Sequence, residues 1–215
     1  MPSSNAKEVA QDLLEIHAVT LQPDHPFTWV SGLHSPIYTD NRMTISYPRV
    51  RKAIYTGMVE LIKNHFADVD VVAGVATAGI PHAAWVAEQL GLPLIYVRSK
   101  PKDHGRGKQV EGVLKPGQKV VVIDDLLSTG GSVLNAAKAV SNAGGKVIGV
   151  IADFSYQLPA AATNFAKAGL QYYTVTDYTT LVELAEEHNL ITKAHLQSLH
   201  EWRKDPQAWS AKHGN

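Results

Sequence analysis

The run Val120 to Ser132, VVVIDDLLSTGGS, constrains the fold more than any other part of the chain. Its first four residues are all apolar, as in a central parallel strand covered by helices on both faces. Asp124 and Asp125 follow at the expected carboxyl end of that strand, where open α/β sheets place their ligand crevices. Ser128, Thr129, Gly130, Gly131 and Ser132 then read as a tight turn, and Val133, Ala136, Ala137 and Val140 recur at helical spacing. One stretch therefore encodes a buried strand, a turn and a helix N-terminus.

A turn of this kind suits an anion. Unpaired N–H groups at the start of a helix point outward with the positive end of the dipole behind them, and glycine lets the backbone come close. The hydroxyls of Ser128, Thr129 and Ser132 add donors. Two adjacent carboxylates repel a phosphate, so Asp124 and Asp125 are expected to face a ribose diol or a Mg²⁺ ion bridging to pyrophosphate oxygens. An ordinary strand-turn-helix needs one hydroxyl for its cap and explains neither the Asp pair nor the Gly pair. The chain has no GxxxxGK[ST] loop and no GxGxxG following a strand, so neither a Walker site nor a dinucleotide fingerprint is expected.

The 215 residues suit one domain, read as a small N-terminal hood over about 1–45, a core over about 46–178 and closing helices over about 179–210. Lys plus Arg and Asp plus Glu number 20 each, so no global field recruits nucleic acid or an anionic membrane. The absence of Cys excludes thiol catalysis and Cys-ligated zinc and fits a reducing compartment. The N-terminus carries no apolar signal core, and no stretch reaches the roughly 18 apolar residues of a membrane span, so a cytoplasmic protein is expected.

Val9, Leu13 and Ile16 give 6–16 an amphipathic helical face, and FTWV and PIYTD read as short extended segments after the Pro23 and Pro26 breaks. A helix over 47–66 leads into alternating strands and helices: VDVVAGV, a helix over 81–90, LPLIYV, the run above, KVIGVIAD, a helix over 159–168 and LQYYTV. Alternation of this kind predicts a parallel sheet flanked by helices. Helices over 179–188 and 192–204 close the chain, with Trp202 and Trp209 packing them. His17, His25, His65, His188, His195 and His200 show no metal-ligand spacing. Residues 98–118 break the alternation. Arg98, Lys100, Lys102, His104, Arg106 and Lys108 make this a long basic loop with Gly105 and Gly107 as hinges, expected to act as a lid over pyrophosphate.

The run Val120 to Ser132 resembles the phosphoribosyl-pyrophosphate (PRPP) motif of the type I phosphoribosyltransferases. KPKDHG in the basic loop, FTWVSGLHSPIYTDNR before the core and VAGVATAGIPHA after the first core strand together resemble the orotate phosphoribosyltransferase family over nearly the whole chain. The resemblance implies transfer of the phosphoribosyl group of PRPP to orotate with Mg²⁺, in a homodimer whose lid loops are exchanged between subunits. It implies that Arg98, Lys102 and His104 contact PRPP and stabilise the leaving pyrophosphate. By the same likeness Asp124, Asp125, Leu126, Leu127, Ser128, Thr129, Gly130, Gly131 and Ser132 hold the ribose 5-phosphate. Thr77, Ala78 and Gly79 would form the pyrophosphate turn, Ser128 would touch orotate, and Mg²⁺ would be held mainly through substrate, with Asp124 and Asp125 as protein donors.

The chain departs from the family pattern at four places. Val30, Ala78 and Ser99 stand where some members have Lys, although Lys100 adjoins Ser99, and no arginine near Asp153 to Tyr156 matches the one that holds the orotate carboxylate in some members. Orotate recognition is therefore expected to fall to other groups, such as Tyr38, Arg42 or backbone N–H groups around Ser31 to Ser35. A purine phosphoribosyltransferase would share the PRPP loop. A PRPP-sensing regulator would need a DNA-binding module and a basic face, which the sequence lacks.

Overall fold

The computed structural model describes residues 2–100 and 108–213, so Lys102, His104 and Arg106 of the expected lid lie outside the described residues. Helix α1 (Ala6–Glu15) buries Val9, Ala10 and Leu13 and leads into a hood of two small antiparallel pairs. In one, β1 (Val19–Leu21) pairs with β4 (Ile37–Thr39); in the other, β2 (Phe27–Thr28) pairs with β3 (His34–Ser35). A 3-10 turn, Asn41–Ser46, joins the hood to α2 (Pro48–His65), whose first position is a proline that needs no N–H partner there.

The main sheet takes up the rest of the chain. Strand β5 (Val71–Val75) is followed by α3 (Gly79–Leu90), β6 (Leu94–Val97), β7 (Val110–Glu111), β8 (Lys119–Leu127), α4 (Gly131–Asn142), β9 (Lys146–Ser155), α5 (Pro159–Ala168) and β10 (Tyr172–Asp177). The spatial order is β10-β9-β8-β5-β6-β7. Five strands run parallel as expected, but β7 adds an antiparallel edge, pairing Tyr96 with Glu111 and Val97 with Val110. That two-residue strand interrupts the segment read as an unbroken loop.

Strand β8 shows why its apolar run is continuous. Val121 and Ile123 pack into the cluster beneath α1, α2 and α3, while Val120 and Val122 pack into the second cluster with Val133, Ala137 and Val140 of α4. Each fully buried Val or Ile contributes about 1.5–3 kcal/mol. The carboxylates do not end the strand, as the sequence suggested. Pairing with β5 stops at Ile123 opposite Gly74, but pairing with β9 continues through Asp124 opposite Ala152 to Leu127 opposite Ser155. Asp124 and Asp125 thus stand where β8 outruns its neighbour, with one edge of the strand left open.

Three more helices close the molecule: α6 (Tyr178–Glu187), α7 (Lys193–Lys204) and α8 (Pro206–His213). Trp202 of α7 is fully buried, with its ring 5.7 Å from Trp29 of the hood, 5.6 Å from Tyr156 and 5.5 Å from Tyr178. Ser210 of α8 accepts a hydrogen bond from the His34 N–H at 2.9 Å. The C-terminal helices are therefore fastened to the hood. Among the described residues no helix is long and apolar enough to cross a membrane.

Candidate active site

The carboxyl ends of β5, β6 and β8 bring together the turn at 76–79, Arg98 and the Asp124–Ser132 segment. Gly130 takes a left-handed φ of 78° and α4 starts at Gly131 without any side-chain cap. The hydroxyls of Ser128, Thr129 and Ser132 make no hydrogen bond among the described residues, and Asn164 Nδ2 occupies only the Thr129 carbonyl, at 2.9 Å. Free N–H groups and three uncommitted hydroxyls surround one helix start, which is the arrangement an anion needs. The plain capping alternative is excluded by the missing cap.

Asp124 is 6 % exposed and its Oδ1 accepts the Asp125 N–H at 3.0 Å. Burial, reinforced by the neighbouring Asp125 charge, holds Asp124 well above the usual carboxylate range, and burial raises Asp125 as well. Such a pair gains from any cation or hydroxyl donor delivered to it. Among the described residues no cluster of three or more His, Cys, Asp or Glu could hold a metal. Two carboxylates fall short of an octahedral Mg²⁺ shell, and so fit an ion whose other ligands are substrate oxygens and water.

The second turn is built by close packing. The Ala76–Thr77 peptide is cis. A Cβ on Gly79 would lie 2.5 Å from the Ile123 carbonyl oxygen, so the start of α3 rests directly on the backbone of β8. Helix α3 begins at Gly79, two residues before the expected Pro81, and has no side-chain cap either. Thr77 is exposed beside it. Arg98 leaves β6 with its N–H donating to the Gln109 carbonyl at 2.9 Å and its guanidinium 3.8 Å from Glu111.

A cavity of about 790 Å³ adjoins the β8 loop, lined by Trp29, Tyr38, Leu126, Ser128, Tyr156 and Lys204 among others. Tyr38 is 44 % exposed and stacks obliquely on Phe27, so it forms the wall of the cavity and not the core. Arg42 does not line the cavity; its guanidinium is bound to Asp40 at 2.6 and 2.9 Å.

Three groups had no signal in the sequence reading. Asn41 is buried and its Nδ2 donates to the Asp125 carbonyl at 2.6 Å, tying the hood to the site strand. His82 of α3 and Asp153 of β9 are both fully buried with Nε2 and Oδ2 3.1 Å apart, yet no ring nitrogen or carboxylate oxygen of the pair has a well-aligned hydrogen bond. Burial pushes His82 down to about 4, and burial with the charges of Asp125 and Asp124 pushes Asp153 well up, so burial disfavours the charged form of both groups.

A family model for the phosphoribosyl transferase domain matches residues 48–161. The orotate phosphoribosyltransferase of Lactiplantibacillus plantarum is 60 % identical over 207 residues, covering 96 % of this chain and 98 % of that one. The chain belongs to the orotate phosphoribosyltransferase family. Solved structures agree with this membership. Orotate phosphoribosyltransferase from Aeropyrum pernix superposes with a TM-score of 0.72 at 28 % identity, covering 86 % of this chain and 99 % of that one. The UMP synthase of Leishmania donovani superposes with a TM-score of 0.78 at 28 % identity, covering 92 % of this chain and 42 % of that one.

Proposed function

We propose that this phosphoribosyltransferase moves the 5-phosphoribosyl group of PRPP to orotate, giving orotidine 5′-monophosphate and pyrophosphate in cytoplasmic pyrimidine biosynthesis. The observation that carries the reading is the uncapped α4 start with its free hydroxyls, set beside a buried Asp pair and a cavity with aromatic walls.

In this reading the Ser128–Ser132 turn grips the 5-phosphate, Asp124 and Asp125 accept the ribose diol, and the 77–79 turn receives pyrophosphate. Bound Mg²⁺ would supply positive charge against the pyrophosphate oxygens, with Asp124 and Asp125 as its protein donors. Orotate's ring nitrogen is already nucleophilic, so the barrier lies in charge separation as the C1–O bond to pyrophosphate breaks and the C1–N bond forms. Arg98, Lys102 and His104 are assigned to the growing negative charge, and the two halves of the cavity to positioning. Tyr38 and Ser128 face the base. The hood over 1–45, the core and the closing helices act as one unit around that base.

The test is to incubate the protein with PRPP, Mg²⁺ and a panel of bases while following pyrophosphate. Release with orotate alone supports the reading, and release with adenine, guanine or hypoxanthine and not orotate overturns it.

A further inference from the structure

The C-terminal wall of the cavity carries a charge that the reaction above has not used. Lys204, Asp205, Pro206 and Gln207 line the cavity, and among its described lining residues Lys204 is the one cation. The three consecutive charged residues at the end of α7 are employed very differently. Arg203 donates to Thr179 Oγ1 at 2.6 Å and to Gln157 Oε1 at 3.2 Å, with its guanidinium 5.5 Å from the Tyr178 ring centroid. Asp205 accepts the Ala208 N–H at 3.0 Å and so spends its charge on the start of α8. Lys204, between them, has no hydrogen bond or ion pair among the described residues. Its backbone is held on one side by Arg203 and the buried Trp202 and on the other by Asp205, while its ammonium is left without a partner among the described residues that line the aromatic cavity. Ala160, in the first turn of the uncapped helix α5, lines the same cavity and adds the positive end of a dipole.

A cavity with one unpaired cation, an uncapped helix start and aromatic walls suits a flat ring bearing one negative group. Orotate differs from uracil by such a group, a carboxylate. The other residue that could have supplied the charge, Arg42, is paired with Asp40 and does not line the cavity. We propose that Lys204 is the specificity-determining residue that meets the orotate carboxylate and so selects orotate over an uncharged pyrimidine. The inference rests on the reading of the cavity as the base site.

The experiment compares two nucleotides that share ribose and 5′-phosphate and differ in the carboxylate alone, orotidine 5′-monophosphate and uridine 5′-monophosphate. Binding of each is measured by titration to the wild type and to Lys204→Met. Loss of a hydrogen-bonded charge partner corresponds to about a 10- to 100-fold change in affinity. The expected result is that orotidine monophosphate weakens by that factor while uridine monophosphate is unchanged, that the orotate KM rises with the PRPP KM unaltered, and that Lys204→Arg restores most of the loss. Equal weakening of both nucleotides overturns the proposal, because it assigns Lys204 to the phosphate. Unchanged binding of both overturns it too, as does the same selective loss appearing in Arg42→Met instead. A wild type that turns over no orotate sinks the parent reading and the inference together, whereas orotate turnover with an unchanged preference in Lys204→Met sinks the inference alone.

Discussion

Asp153 and His82 are buried together where the charged form of each is disfavoured, and their titrations act on stability in opposite directions. Asp153 keeps its proton in the fold above the ordinary 3.8, so between that value and its raised pKa the folded state binds more protons than the unfolded one, and stability falls as pH rises. His82 is depressed from 6.5 to about 4, so across that window the unfolded state binds more protons and stability rises with pH. The two slopes therefore oppose each other between about pH 4 and 6.5. Asp153→Asn removes the Asp153 contribution. Its melting temperature should match the wild type near pH 4 and exceed it increasingly as pH rises from there to the raised pKa of Asp153, and a difference that stays flat with pH would show that Asp153 is ionised in the fold. At the reacting centre, Lys102→Ala should lower kcat about 100-fold or more with little change in orotate affinity, because its charge is assigned to the transition state. Stopped-flow or steady-state pyrophosphate release measures both quantities, and an unchanged kcat removes Lys102 from the mechanism.

At the scale of elements, the joint between β8 and α4 decides whether the anion site exists. Gly130 combines a left-handed φ with close contact to α5, for a Cβ there would sit 2.7 Å from the Phe165 ring. Gly130→Ala should therefore cost about 1–2 kcal/mol for the backbone alone, seen as a melting temperature lower by roughly 2–8 °C, and should weaken PRPP binding by turning the loop away. Adding Phe165→Leu relieves the contact and not the φ, so stability should recover only in part; full recovery would place the whole effect in packing. This joint was legible from sequence because an unbroken apolar strand, two glycines and a 3.6-period helix all lie within one window. Other elements left no such trace. Strand β7 is two residues long and takes its place only by pairing with Tyr96 and Val97. Helix α8 buries only Trp209 and Ser210, too few to set a helical period. The His82–Asp153 contact spans two elements far apart in the chain, and the cavity wall at Lys204 depends on α7 being fixed through the ring of Trp202.

For the molecule as a whole, a lid that serves a second copy would cover the phosphate turns. Leu94 and Tyr96, each 37 % exposed on strand β6 beside the edge strand β7, leave an apolar strip on the sheet, in keeping with a two-fold dimer. We predict that Lys102→Ala and the double variant Asp124→Asn, Asp125→Asn, each inactive alone, regain activity when mixed. With exchanged lids, a mixed dimer holds one site with every defect and one with none. Random pairing makes about half of all dimers mixed, so the activity should reach roughly a quarter of the wild type by symmetry. If subunits exchange and activity stays at the parental level, each lid serves its own chain.

The cavity is walled by residues 28–39 of the hood, 126–129 of the site strand, 156–160 beyond β9 and 204–207 near the C-terminus. The phosphate turn, by contrast, is complete once β8, α4 and their sheet neighbours are in place. During synthesis from the N-terminus these two halves of the site cannot be finished together. On the proposed reading of the site, a nascent chain stopped short of residue 204 has the segments assigned to the activated sugar but not the wall assigned to the base, so the capacity to hold the donor precedes the capacity to use it. The order of translation thus places recognition of the acceptor last, and a product truncated there would be a competitor for donor instead of a catalyst.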